Sequence, residues 1–227
     1  MIAGVLRGRS VLIEDERSAS RLRNRGYLGK NIGTMLLLNL PVALYLVRSG
    51  KMEVTAQGRR VGEEELKSRM SGDEVKLFQA YSCLRRGGKN PVFRGRKLMW
   101  NSLGVMPFCG TERIDLSVLA RRGYVLVLDD GGCILYSYEL LFRGEGRSLR
   151  SFLEARGFRV ESGLKYGCEY RLYESIPHAS FLLNRETKPR AKDIVARVRI
   201  AHSVRKTYVQ VAKVEGEFLG YSFQWIR

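Results

Sequence analysis

Tyr173, His178 and Lys206 are the residues whose types and spacing suit chemistry on a phosphodiester. The chain has 227 residues and two histidines, and one of these, His178, stands in the stretch EYRLYESIPHASFLL. Glu174 to Pro177 separate it from Tyr173, and apolar residues alternate on either side. That pattern predicts strands over 168–173 and 179–183 joined by a tight turn. Paired strands lie about 5 Å apart, so the tyrosine and the histidine fall on one rim of a sheet. Lys206 opens the next expected strand, 206–214, after a basic helix over about 190–203 that can return the chain to the same rim. Together these groups offer proton transfer and a positive charge. RNA suits such a set because it carries its own nucleophile, the 2′-hydroxyl.

Nothing in the sequence calls for a metal or a cofactor. Cys83, Cys109, Cys133 and Cys168 form no Cys-x-x-Cys pair, and with two histidines a structural zinc site is not expected. The cysteines read as reduced, buried thiols, with a disulfide left open.

Forty Lys and Arg against 23 Asp and Glu give a formal charge of +17, which points to a polyanionic partner, nucleic acid first. The most apolar run, Met35 to Val47, is too short to cross a membrane and is broken by Asn39 and Pro41. The opening MIAGVLRGRS lacks the apolar region of a signal peptide, so the expected location is cytoplasmic.

The elements that must position the three residues follow from periodicity and punctuation. Residues 1–88 read as a small N-terminal α+β module. It comprises a strand at 11–13, a helix through Arg23 with Gly26 after it, an apolar helix with Pro41 in its first turn and Gly50 beyond its end, and two further helices ending at Gly87. Residues 89–146 form a β-rich middle segment around the hairpin YVLVLDDGGCILYSYEL. A phrase of helix, Arg-Gly and strand occurs three times, in LRRGGKNPVF, LARRGYVLVL and LEARGFRVES, as a decayed repeat or as ordinary punctuation. Residues 147–227 form a C-terminal mixed α/β module, and the whole chain is of the α+β class. The last strand, FLGYSFQWIR, reads as an apolar free edge able to pair with another chain.

ESGLKYGCEYRLY, HASFLL and VRIAHSVRKTYVQVAKV, in that order, resemble the catalytic domain of archaeal tRNA-splicing endonucleases. RNRGYLGK, LLLNLPVALYLVRSGKMEV and FQAYSCLRRGG are similar to that family's N-terminal domain. The resemblance implies that Tyr173 is the general base, His178 the general acid and Lys206 the stabiliser of the transition state. It further implies that Arg199 and Trp225 bind RNA by stacking on a bulged base, and that 147–227 is the nuclease domain. His202, one turn before Lys206, is expected to be structural or phosphate-facing. The implied reaction is metal-independent cleavage of precursor tRNA at bulge-helix-bulge intron boundaries, giving a 2′,3′-cyclic phosphate and a 5′-hydroxyl. The implied protein partners are a second copy or a paralogous subunit. The competing expectation is a non-catalytic, RNA-binding subunit of the same kind of complex.

Overall fold

The computed structural model describes residues 1–130, 132–175 and 177–226. Two compact units divide them, Met1–Val105 and Met106–Arg227, and the class is α+β.

In the first unit, β1 (Ile2–Arg7) and β2 (Ser10–Ile13) form a hairpin, followed by α1 (Glu16–Asn24). β3 (Lys30–Ile32) and β4 (Met35–Asn39) come next, and α2 (Leu40–Arg48) leads to β5 (Met52–Ala56) and β6 (Arg59–Val61). These strands lie in the order β3-β4-β2-β1-β5-β6. Then come α3 (Glu63–Ser68), α4 (Gly72–Arg86), and the antiparallel strands β7 (Val92–Arg94), β8 (Lys97–Trp100) and β9 (Leu103–Cys109), the last running on into the second unit. Side-chain caps explain where the helices begin. Asp15 accepts from the amide of Ser18 at 2.8 Å, Asn39 from that of Val42 at 3.0 Å, and Ser71 and Glu74 cap each other. The nearly all-apolar α2 is buried over six of its nine residues, which is why it lies in the core. β1 was not foreseen, because Gly4 interrupts its pattern. A Cβ there would stand 2.6 Å from Val11.

In the second unit, β10 (Arg122–Asp129) and β11 (Gly132–Glu145) form the expected hairpin. α5 (Leu149–Glu154), β12 (Arg159–Ser162), β13 (Tyr170–Tyr173), β14 (Phe181–Arg185), α6 (Ala191–Ser203), β15 (Thr207–Val214) and β16 (Glu217–Ile226) follow. The strand order is β12-β13-β14-β15-β16-β11-β10. β14 and β15 are parallel, and parallel neighbours need a crossover, which α6 supplies. The sheet has a core on each side. Ile194, Val198 and Ala201 of α6 join Tyr136, Tyr208 and Phe223 in one; Leu149, Phe152 and Leu153 of α5 join Val209, Val211 and Phe218 in the other.

Several expectations are corrected. The C-terminal strand is not an edge: β16 lies between β15 and β11, and both its sides are bonded. LARRG does not follow a helix, only a 3-10 turn over Leu116–Val118 held by Asp115. The turn carrying His178 is longer than four residues, since β13 ends at Tyr173 and β14 begins at Phe181. Cys109 and Cys168 are free thiols, while Cys83 and Cys133 are not.

Candidate active site

Strand register collects the candidate residues along one end of the second unit's sheet. Leu172 pairs with Phe181, and Phe181 with Thr207. One residue further out, Tyr173 falls opposite Ser180, with Lys206 beside it. The amide of Ser180 donates to the Leu172 carbonyl at 2.8 Å, and that of Thr207 to the Ser180 carbonyl at 3.0 Å, so this end of the sheet is closed by the 180–181 backbone. Tyr208 pairs with Phe223, which sets Lys206 opposite Trp225, and Trp225 pairs with Tyr136. Adjacent strands are about 4.8 Å apart, so the backbones of Tyr173 and Lys206 are separated by about 10 Å.

Lys206 is half-buried, and its ammonium donates to the Ala179 carbonyl at 2.8 Å. The preceding residue, His178, is exposed in the connection between β13 and β14. Ile176 of that connection lies outside the described residues.

The surroundings of Tyr173 differ from expectation. Its hydroxyl donates to Glu161 Oε2 at 2.9 Å, and that carboxylate pushes the hydroxyl up from its ordinary value, against the lowering charges of Arg171 and Arg159. Those guanidiniums lie 5.8 and 5.7 Å from the Tyr173 ring centroid. The positive charge nearest the tyrosine ring is therefore that of Arg159 and Arg171. Sequence reasoning missed Glu161, Arg159 and Arg171, which are recognisable only once β12 is registered on β13: Arg159 with Tyr173, Glu161 with Arg171.

The RNA-binding candidates share the α6 side of this end. Arg199 is exposed on α6, and its charge partly offsets the upward push of burial on the Tyr136 hydroxyl. Trp225 is 41% exposed. His202, one turn after Arg199, meets the Trp225 ring edge-on, with centroids 5.8 Å apart.

Both parts of the chain match a known family. The tRNA intron endonuclease catalytic C-terminal domain matches residues 149–218, and the tRNA intron endonuclease N-terminal domain matches residues 2–67. The tRNA-splicing endonuclease of Pyrococcus furiosus is 32% identical over 127 residues, covering 50% of this chain and 74% of the relative. Those of Thermococcus gammatolerans and Pyrobaculum aerophilum are each 26% identical, over 100% and 99% of this chain and 99% and 98% of their own lengths. The chain belongs to the tRNA intron endonuclease family, a family of endoribonucleases.

Proposed function

We propose that this chain is a catalytic subunit of a tRNA-splicing endonuclease, cleaving precursor tRNA at bulge-helix-bulge intron boundaries without a metal ion. Tyr173 receives the proton of the 2′-hydroxyl, the 2′-oxygen attacks the adjacent phosphorus, and the bond from phosphorus to the 5′-oxygen breaks. His178 protonates the leaving oxygen, and Lys206 faces the charge gathering on the phosphate. The products are a 2′,3′-cyclic phosphate and a 5′-hydroxyl. Arg199 and Trp225 hold a bulged base by stacking. The assembly contains a second copy or a paralogous subunit. In this reading 1–88 is the N-terminal domain, 89–146 a middle segment and 147–227 the nuclease domain.

The observation that carries the reading is the Lys206–Ala179 hydrogen bond, which ties the positive charge to the connection bearing His178. One observation favours the alternative, a non-catalytic RNA-binding subunit: the Tyr173 hydroxyl is engaged by Glu161. Incubation with a bulged precursor tRNA in excess EDTA, alone and with a candidate partner subunit, separates the two. Cleavage in EDTA with cyclic-phosphate ends is expected. Activity lost in EDTA and restored by Mg²⁺ would refute the mechanism, and binding without cleavage in every arm would favour the alternative.

A further inference from the structure

Glu161 lies on β12, one strand outward from Tyr173, and its carboxylate is the hub of a charged cluster. Its Oε2 accepts from the Tyr173 hydroxyl at 2.9 Å and from Arg171 Nη2 at 2.9 Å. Its Oε1 accepts from Arg159 Nη2 at 2.6 Å. Both guanidiniums also lie near the Tyr173 ring, so carboxylate and phenol share two arginines. Other titratable or charged groups near this end are His178, Lys206 and Tyr166, whose ring centroid lies 6.0 Å from the Arg171 guanidinium. Arg150 of α5 is engaged elsewhere, by Glu154 and the Val160 carbonyl.

Such a phenol poses a chemical problem. An ordinary tyrosine, with a pKa near 10, is ionised in only about one molecule in a thousand at pH 7, and Glu161 makes ionisation rarer still. The Glu161 carboxyl is held below its usual value, first by the hydrogen bond from Tyr173 and then by its arginines, against the opposing effect of burial. It is therefore ionised at every pH near neutrality. A neutral phenol can accept a proton only while it gives up its own, and this one already points its proton at a carboxylate.

We propose that Glu161 is a positioning residue that makes Tyr173 a proton relay, taking the phenolic proton on Oε2 as the 2′-hydroxyl proton arrives at the phenolic oxygen. This rests on the base assignment made above for Tyr173. In the step, the 2′-oxygen to hydrogen bond breaks as a new bond to the phenolic oxygen forms. The original phenolic bond breaks as the carboxylic acid forms on Glu161. The 2′-oxygen to phosphorus bond forms while the 5′-oxygen departs with a proton from His178. The net transfer is one proton from the 2′-hydroxyl to Glu161. The Glu161 side chain is 27% exposed, so the proton can pass to water between turnovers.

The test is single-turnover cleavage of a bulged precursor tRNA from about pH 6 to 9, with RNA affinity and melting temperature measured alongside. Glu161→Gln keeps the shape and an oxygen that accepts a hydrogen bond, but removes the basic carboxylate that would take the proton. Its rate at pH 7 should fall about 10²-fold, within the usual range for proton-transfer groups. The loss should shrink about tenfold per pH unit as hydroxide ionises the phenol directly, a slope the unaltered protein lacks. Glu161→Asp should keep part of the rate and none of that slope. Tyr173→Phe should be slow at every pH, and adding Glu161→Gln to it should cost little more, since the two groups act as a unit. Should Glu161→Gln fail to fold, Glu161→Asp carries the test: it must be slower than the unaltered protein while binding RNA equally. A Glu161→Gln enzyme as fast as the unaltered one, or uniformly slow with an unchanged pH slope, overturns the relay. If Tyr173→Phe is itself fully active, the base assignment fails; if it is slow while Glu161→Gln behaves normally, the relay alone fails.

Discussion

The Lys206 ammonium donates a 2.8 Å hydrogen bond to the carbonyl of Ala179, the residue that follows His178. An ammonium has three donors, and with one engaged among the described residues two remain for a phosphate oxygen. The Thr207 amide holds the neighbouring Ser180 carbonyl at 3.0 Å, so the start of β15 latches the connection that carries the candidate acid. In the proposed mechanism, charge and acid are thus positioned by one short piece of backbone.

Lys206→Ala removes both the charge and the latch. Single-turnover cleavage should slow by about 10²–10³-fold, the range for losing one stabilising group at a developing charge. RNA affinity, measured by filter retention, should change little, because it is spread over many phosphate contacts. Lys206→Arg keeps the charge and should recover part of the rate. Normal cleavage by Lys206→Ala would remove this residue from the chemistry.

The two histidines make an internal control. His178 is exposed beside the Lys206 latch, whereas His202 meets the edge of Trp225 from the last turn of α6. His178→Ala should lose about 10²-fold or more in rate. His202→Ala should retain most of its rate and alter only the seating of Trp225, which would show as a rise in KM. The opposite result would move the acid to His202.

Much of this arrangement could be read from the chain because its signals are local. Pro41 stands in the first turn of α2 and Gly50 just beyond its end, as expected, and α6 ends where the basic helix was expected to end. What was missed depends on distant partners. Whether FLGYSFQWIR is an edge depends on β11, some eighty residues earlier, and no local pattern encodes that pairing. Glu161 looks like any surface glutamate until β12 is registered on β13. The two residues Ala179 and Ser180 looked like strand, yet the named pairing starts only at Phe181.

The interior place of β16 changes what its alteration should do. Gly220 pairs with Val211 on one side and with Phe142 on the other, beside the irregularity between Leu140 and Phe142. A Cβ at Gly220 would stand 2.3 Å from the Phe142 ring, whose neighbours Phe152 and Phe218 belong to the same core. Gly220→Ala therefore overpacks that core and should destabilise the protein by about 1–3 kcal/mol, seen as a melting temperature lower by about 2–12 °C. The cause is steric, so Phe142→Leu, which makes room, should reduce the added cost of Gly220→Ala below its cost in the unaltered protein, a coupling a double-mutant cycle reads directly. Equal melting of Gly220→Ala and the unaltered protein would show that the backbone yields at this crossing. Strictly additive losses would show that the strain is taken up by residues other than Phe142.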